Sequence, residues 1–181
     1  MMNAVDFSRA ETLRNGLDVT IRSLRADDRE RIAKAIGQLD RESIYTRLFS
    51  YRSGLTEAGL NRVMAVDQDN EVALVVTIGS GADETVIASG RYIATPDQQA
   101  PRSAEVAFVV EDDYHGLGIA SRIFAHLADI ARARGIAAFE ADVLAENPAM
   151  LKVFAKTGLK MRQRREGGVV HLTLALNETR A

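Results

Sequence analysis

The chain has 181 residues, of which 46% are hydrophobic and 27% charged, and its formal net charge is −2 at pH 7. This length fits one globular domain, and the near-neutral charge offers no broad basic field for nucleic acid or an anionic membrane. The absence of cysteine excludes disulfides and thiolate metal sites. Three scattered histidines, His115, His126 and His171, do not predict a metal site either.

The start of the chain has no long apolar core, and no window approaches the roughly 20 apolar residues that a membrane span requires. We therefore expect a cytoplasmic protein without a membrane partner. Residues 1–16 are mixed in character and are predicted to be a weakly ordered lead-in. Residues 17–181 are predicted to form a single domain, because neither a low-complexity linker nor an internal repeat divides them.

The first strand is predicted over residues 17–24, where Leu17, Val19 and Ile21 alternate with polar neighbours. Three helices are predicted next, the third with Thr56 as its N-cap. These helices cover residues 25–39, 40–50 and 56–66. Three strands follow, and the short turn-rich segments between them predict antiparallel neighbours, because a parallel pair needs a longer crossover. These strands cover residues 71–79, 85–95 and 103–111.

The clearest helical pattern runs over residues 118–134, where apolar residues recur every three or four positions and Gly135 supplies a C-cap. A strand, a helix and a closing hairpin complete the chain. They cover residues 137–144, 147–158, and 159–166 with 169–176. The order of elements predicts a mixed α/β sheet that is antiparallel early and crosses over through a helix later.

The stretch "VVEDDYHGLGIASRIF" places Gly116 and Gly118 where a predicted strand leads into the long helix. A helix N-terminus leaves amide N–H groups unpaired and carries the positive end of the helix dipole, which suits phosphate oxygens. Glycine allows unusual dihedrals and close approach of a ligand. A tight turn that only packs the helix on the strand explains the two glycines equally well.

Two familiar phosphate-binding loops do not fit this turn. A Walker loop requires Lys and then Ser or Thr after its last Gly, whereas Ile119 and Ala120 occupy those positions. A dinucleotide fingerprint requires a third Gly where Ser121 stands. It also opens the first strand–helix unit, whereas this turn follows several antiparallel strands.

Residues 115–120, "HGLGIA", match the x-x-G-x-A part of the R/Q-x-x-G-x-G/A motif of the GNAT superfamily of acyl-CoA-dependent N-acetyltransferases, with His115 in place of Gln or Arg. The strand "EVAFVV", the acidic "EDDY", the long helix, the strand "FEADVLAEN" and the helix ending "FAKTGLK" also resemble this family. The resemblance spans most of residues 17–176. It implies an α/β GNAT fold, a mixed, mostly antiparallel seven-stranded sheet flanked by helices.

Within the superfamily the chain looks like the bacterial protein-lysine acetyltransferase (Pat-like) branch. The words that carry this similarity are "RESIYTRLFS", "AEVAFVVEDDYHGLGIA" and "RARGIAAFEADVLAENPAMLKVFAKTGLK". The similarity implies transfer of an acetyl group from acetyl-CoA to an amine, with a protein lysine as the favoured acceptor and no metal or nucleic acid involved. A small-molecule amine or amino acid as acceptor, and a non-catalytic acyl-CoA sensor, stay open as alternatives, as do a monomer and a homodimer.

Acyl transfer to a lysine requires a base, because the amine is mostly protonated near pH 7. Glu105 shares a strand face with Ala107 and Val109, and partial burial there would suit proton transfer. The residue pattern alone favours a Glu that faces solvent or pairs with an Arg. In the lysine acetyltransferases that this chain resembles, a glutamate at this position is the general base, so the resemblance assigns that role to Glu105.

The resemblance also implies that backbone groups hold most of the acetyl-CoA. Phe108, Val109 and Val110 would pair with the pantetheine arm as with an added strand. Asn147 matches a position that contacts the cofactor, although an N-cap role fits it as well. The residues around the diphosphate would be His115, Gly116, Leu117, Gly118, Ile119, Ala120 and Ser121.

Many GNAT enzymes place a Tyr seven residues after this Asn as the general acid for the departing thiolate. Phe154 occupies that position here, so the resemblance implies departure of the thiolate without a Tyr acid. Direct attack in a ternary complex is expected, because the chain has no Cys to carry an acyl group. His126 and His171 are expected to be structural.

Overall fold

A computed structural model describes residues 6–38, 57–96 and 101–179. The helix predicted over residues 40–50 and the N-cap predicted at Thr56 lie outside these ranges. No helix in the described ranges is long and apolar enough to cross a bilayer.

The described residues form one eight-stranded sheet with the strand order β1-β2-β3-β4-β5-β6-β8-β7. Every neighbouring pair is antiparallel except β5 and β6, which are parallel. The predicted mixed, mostly antiparallel sheet is therefore confirmed. The strands are β1 Ser8–Thr12, β2 Asp18–Ser23, β3 Glu71–Ile78, β4 Thr85–Ala94, β5 Arg102–Val110, β6 Ile136–Leu144, β7 Leu159–Glu166 and β8 Val169–Thr179.

The strand count is eight rather than seven because β1 lies in the segment predicted to be a weakly ordered lead-in. Residues 8–10 are exposed, so β1 lacks the buried alternation that reveals most strands in a sequence. Its backbone pairs with β2 from Ser8 opposite Arg22 to Thr12 opposite Asp18. Phe7 and Leu13, both 5% exposed or less, anchor its two ends in the core.

In the described ranges four helices flank the sheet: α1 Arg29–Gly37, α2 Glu57–Met64, α3 Ile119–Ala133 and α4 Pro148–Ala155. The prediction for α3 is correct to within one residue at each end. Ile119, Ile123 and Leu127 of this helix are at most 2% exposed. Gly135 follows the helix with a positive φ of 76°, as expected of a residue that ends a helix.

The two faces of the sheet carry separate apolar clusters. On one face, Val106 and Phe108 of β5 pack in the main core with Ile123 and Phe124 of α3. On the other face, α1 and α2 cover a smaller cluster, whose buried members are Leu24, Ile32, Ala73, Val75 and Val86. Because side chains alternate along a strand, this packing leaves Glu105 and Ala107 on the face opposite α3.

A buried ion network fixes the start of α1 against the sheet. The Arg22 guanidinium donates to both carboxylate oxygens of Asp28 at 2.8 Å and to Glu84 Oε1 at 2.8 Å from Nη2. Arg31 Nη1 donates to Asp28 Oδ1 at 3.1 Å, and the Arg25 amide donates to Asp28 Oδ2 at 2.8 Å. Every charge of this network therefore has an opposite partner, which burial requires.

The parallel pair β5–β6 positions the functional site. Its ladder ends where Glu105 lies opposite Glu140. Beyond that point β5 stays paired with β4 as far as Val110, whereas its other edge no longer pairs with β6. The two strands therefore separate and open a cleft in the sheet.

Candidate functional site

A cavity of about 670 Å³ occupies the point where β5 and β6 separate. Glu105, Ala107 and Phe108 line it from β5, and β6, α4 with its N-cap, and the β7–β8 hairpin contribute the rest of the wall. The residues that line it from these other elements are Ala141, Asp142, Val143, Asn147, Met150, Phe154, Glu166, Val169 and His171.

A second cavity of about 230 Å³ lies at the N-terminus of α3. Asn147 and Met150 line both cavities, so the two are neighbouring parts of one cleft. The sequence-predicted residues on the wall of this second cavity are Val110, His115, Gly116, Gly118, Ile119, Ala120, Ser121 and Asn147. The cleft thus brings these residues and Glu105 to a single site.

The turn between β5 and α3 depends on its two glycines. Gly116 has φ +79° and Gly118 has φ +82°, a conformation that L side chains rarely adopt. Arg122 donates its amide to Gly118 O at 3.2 Å. The amides of Ile119, Ala120 and Ser121 come earlier in the helix and have no intrahelical acceptor, so they are available to an anion on the cavity wall.

Glu105 is the last β5 residue of the β5–β6 ladder, and its side chain is exposed. The expectation of partial burial is therefore wrong. Strand alternation turns Ala104 and Val106 into the core, but the opposite face, which carries Glu105, is not covered at this position and opens into the cleft. The carboxylate therefore lies on the wall of the cleft and is accessible to solvent.

His115 caps the end of β5. Its ring Nε2 lies 2.9 Å from Val110 O, so Nε2 carries a proton and donates it to this carbonyl. It also lies 3.6 Å from Asp112 Oδ1. A carbonyl oxygen has two lone pairs, so Val110 O keeps one acceptor position for a ligand.

Two predicted backbone contributors lie away from the cleft wall. Leu117 packs against the main core from within the turn. Val109 lines a separate small cavity beside Ile32 and Ile36 of α1. Leu117 can therefore serve the predicted role only through its main chain. The N–H and C=O of Val109 pair with Ser89 of β4, so the predicted role of Val109 is wrong.

Asn147 performs the capping role that the sequence allows. Its Oδ1 accepts from the Met150 amide at 3.2 Å, which leaves its NH₂ group for the cleft. Phe154 is 2% exposed and packs against Phe108 and Phe124, with ring centroids 5.9 Å and 6.0 Å away. This position therefore provides aromatic packing and no acid.

Sequence reasoning missed three cations that line the glycine-turn cavity. Arg14 reaches it from the turn between β1 and β2, and Lys152 and Lys156 reach it from α4 and its C-cap. No Asp or Glu belongs to this wall in the described residues. The sequence shows that Lys152 and Lys156 lie on or next to one helix. No local sequence pattern indicates that Arg14 lies close to residue 118.

Sequence reasoning also missed an acidic group at the other end of the cleft. Asp142 accepts a hydrogen bond from His171 Nδ1, and His171 Nε2 lies 3.6 Å from Glu166 Oε2. All three residues line the cavity that contains Glu105. The register that pairs Asp142 with His171 brings them together. His171, expected to be structural, is thus part of the cleft.

The cleft consequently has one cationic end and one anionic end. Arg14, Lys152 and Lys156 surround the amides of the glycine turn, while three carboxylates lie at the end where the strands separate. Among the described residues no group of three or more His, Asp or Glu is arranged to hold a metal ion. The arrangement can take an elongated ligand with an anionic part at one end and a cationic partner at the other.

Comparison with known proteins agrees with this geometry. The acetyltransferase (GNAT) family model matches residues 42–159. Acetyltransferase PA5475 of Pseudomonas aeruginosa is 32% identical over 143 residues, which cover 77% of this chain and 74% of that protein. Acetyltransferase Pat of Mycolicibacterium smegmatis is 34% identical over 146 residues, 81% of this chain but 42% of that longer protein.

Solved structures give the same result. The crystal structure of the GNAT domain of S. lividans PAT has a TM-score of 0.81 and 36% identity, covering 93% of this chain and 96% of that one. The structure of yncA from Salmonella typhimurium with its cofactor acetyl-CoA has the same fold, with a TM-score of 0.68, 17% identity, and 90% and 96% of the two chains covered. The chain therefore belongs to the GNAT family of acetyltransferases and is an N-acetyltransferase that resembles the Pat-like branch.

Proposed function

We propose that this acetyltransferase moves the acetyl group of acetyl-CoA to a lysine side chain of a protein, with Glu105 as the general base. The observation that carries the proposal is the charge separation along one cleft. Acetyl-CoA is anionic at its phosphates, and a lysine arrives as a cation. The cationic end of the cleft suits the first and the acidic end suits the second.

The cofactor lies, in this proposal, with its phosphates on the amides of residues 116–121. Its pantetheine arm runs along the free edge of β5 and bonds main-chain groups of Phe108 and Val110, which point away from β4, as an added strand would. The NH₂ group of Asn147 faces the same path. This placement brings the thioester to the region where β5 and β6 separate, beside Glu105.

Glu105 accepts the proton of the incoming ammonium group, directly or through a water molecule. The neutral amine then attacks the thioester carbonyl carbon, the bond from that carbon to sulfur breaks as the amide forms, and the second proton of the attacking nitrogen passes to water or to the departing sulfur. The sulfur leaves as a thiolate. Phe154 cannot protonate it, and a thiol is acidic enough to leave as the anion. A direct attack requires no acyl-enzyme, which agrees with the absence of cysteine.

Lysine is the favoured acceptor because the acidic end of the cleft is open. Glu105 and Asp142 are exposed, and so is Glu166 on the β7–β8 hairpin. An extended protein segment can approach such a surface and insert one long cationic side chain. The resemblance to the bacterial protein-lysine acetyltransferase branch supports the same acceptor.

The test of the base is Glu105→Gln, which keeps the shape of the side chain and removes the proton acceptor. We expect kcat to fall by about 10²–10⁴-fold, the usual contribution of a general base, while the Kd for acetyl-CoA stays within about twofold. The matched control is Glu140→Gln, because Glu140 lies opposite Glu105 in the ladder but outside the cleft wall. Unchanged turnover of the Glu105 variant across pH would remove this role.

The test of the acceptor uses labelled acetyl-CoA and a cell lysate. We expect the label to enter protein and to be recovered as acetyl-lysine after digestion. Label confined to small molecules would replace the protein acceptor by a small amine.

A further inference from the structure

Arg14 lies directly over the glycine turn. A Cβ atom added to Gly118 would lie 3.0 Å from Arg14 Nη2 and 3.5 Å from its Nε. The guanidinium of Arg14 therefore lies in contact range of residue 118, whereas the positive φ of Gly118 is the reason for glycine there. Arg14 itself is exposed, and among the described residues it makes no hydrogen bond and no ion pair.

The hairpin that carries Arg14 is fastened to α3. Glu11 of β1 accepts from Arg122 Nη1 at 2.6 Å and from the ring of His126. Arg122 Nη2 also donates to Thr12 O at 3.2 Å. The ring of Phe7 packs on His126 at 5.0 Å between centroids. These contacts make the β1–β2 hairpin and the N-terminal half of α3 one unit.

The same contacts leave the charge of Arg14 uncompensated. Glu11 is the nearest acid along the chain, and both of its oxygens are engaged by α3. Lys152 and Lys156 add two more cations to the wall of the same cavity, and neither has an ion pair among the described residues. An arginine that lies beside free amides is well suited to phosphate oxygens, which it can bind with two parallel hydrogen bonds.

We infer that the β1–β2 hairpin is part of the acetyl-CoA site, with Arg14 binding a phosphate of the cofactor and Glu11 positioning Arg14 through its bonds to α3. This inference rests on the placement of the cofactor given under the proposed function. It adds a side-chain ligand from the start of the chain to a set of backbone amides more than 100 residues later.

The first test is Arg14→Gln, measured by calorimetric titration of acetyl-CoA and by steady-state kinetics. We expect the Kd to rise by about tenfold, as for the loss of one charge-assisted contact, and the effect to appear in KM for acetyl-CoA rather than in kcat. Arg14→Lys restores part of the affinity because it keeps the charge. The matched control is Arg9→Gln on the same hairpin, whose guanidinium lies over the Phe7 ring instead.

The second test is a double-mutant cycle with Glu11→Gln. If Glu11 acts through Arg14, Glu11→Gln raises the Kd for acetyl-CoA several-fold in the wild type and has no further effect in the Arg14→Gln background. Equal effects of Glu11→Gln in both backgrounds would overturn the positioning role. A purely structural role would lower the melting temperature without this coupling.

Comparison of acetyl-CoA with its 3′-dephospho form identifies the phosphate. Loss of the Arg14→Gln effect with the dephospho form assigns the 3′-phosphate, and persistence of the effect assigns the diphosphate; both outcomes support the inference. Wild-type protein that binds acetyl-CoA while Arg14→Gln binds it equally well overturns the inference alone. Wild-type protein that does not bind acetyl-CoA overturns the proposed function itself.

Discussion

Two groups of charges in this molecule follow opposite rules. Under α1, Arg22 and Asp28 have side chains only 3% and 0% exposed, and each charge has an opposite partner. At the glycine turn, Arg14, Lys152 and Lys156 share one sign and have no carboxylate on the same wall among the described residues. Burial makes an unpaired charge costly, so every charge of the first group needs an opposite partner within the protein. The cations of the second group are exposed to water and can stay unpaired until an anionic ligand binds.

The largest expected effect comes from breaking the complete group. Asp28→Ala leaves the Arg22 guanidinium buried with one fewer partner, and we expect the free energy of unfolding to fall by about 3 kcal/mol. Urea unfolding measures the loss, and Asp27→Ala, at an exposed neighbouring position, is the control with an expected change below about 0.5 kcal/mol. If the comparison holds, the Kd for acetyl-CoA stays within about twofold in both variants.

Lowering the pH tests the same buried ion network without a mutation. Burial raises the pKa of Asp28, but hydrogen bonds from Arg22 and the Arg25 amide lower it by more, so the net pKa lies below the ordinary 3.8. Burial likewise raises the pKa of Glu84, but Arg22, Thr77 and Arg31 together lower it by more, to below the ordinary 4.5. A carboxylate with a lowered folded pKa stabilises above its unfolded pKa, and that stability is lost as pH falls through the folded pKa.

We therefore expect the free energy of unfolding to drop as pH falls below about 4.5, with a shallower drop in Asp28→Ala. Urea unfolding at successive pH values from 7 to 3 measures both slopes. Parallel slopes in the two proteins would mean that carboxylates elsewhere govern acid stability.

The smallest effect is expected at the incomplete group. The double variant Lys152→Gln, Lys156→Gln should keep the free energy of unfolding within about 0.5 kcal/mol, because exposed unpaired cations stabilise nothing in the folded chain. Its Kd for acetyl-CoA should rise about threefold at low salt, and the difference should shrink as salt screens the charges. Lys34→Gln on α1 is the control. A loss of stability in the double variant but not in this control would show that Lys152 and Lys156 stabilise the fold, contrary to the comparison.

Local patterns predicted the elements that local interactions determine. The spacing of Ile119, Ile123 and Leu127 predicted α3, and Asn147 before Pro148 predicted the start of α4. The glycine turn and the edge of β5 were also predicted, because both combine a short motif with a strand period. The family motif located the cleft because it lies within that same short stretch.

Contacts between distant residues were not predictable in this way. Arg14 meets Gly118, Arg22 meets Glu84, and Asp142 meets His171 only because of the strand order and register. The strand β1 was missed because its residues 8–10 are exposed and it is held by backbone pairing. The expected burial of Glu105 was wrong because alternation fixes which face a side chain occupies but not what covers that face.

In the proposed role of Glu105 as general base, the exposure of its side chain has a consequence for the return of the carboxylate to its starting state. A carboxylate in contact with bulk water exchanges its proton with the solvent much faster than an acetyltransferase completes a cycle. Release of the proton from this carboxyl group is then not the rate-limiting step. No chain of hydrogen-bonded side chains is needed to carry the proton from the cleft to the solvent.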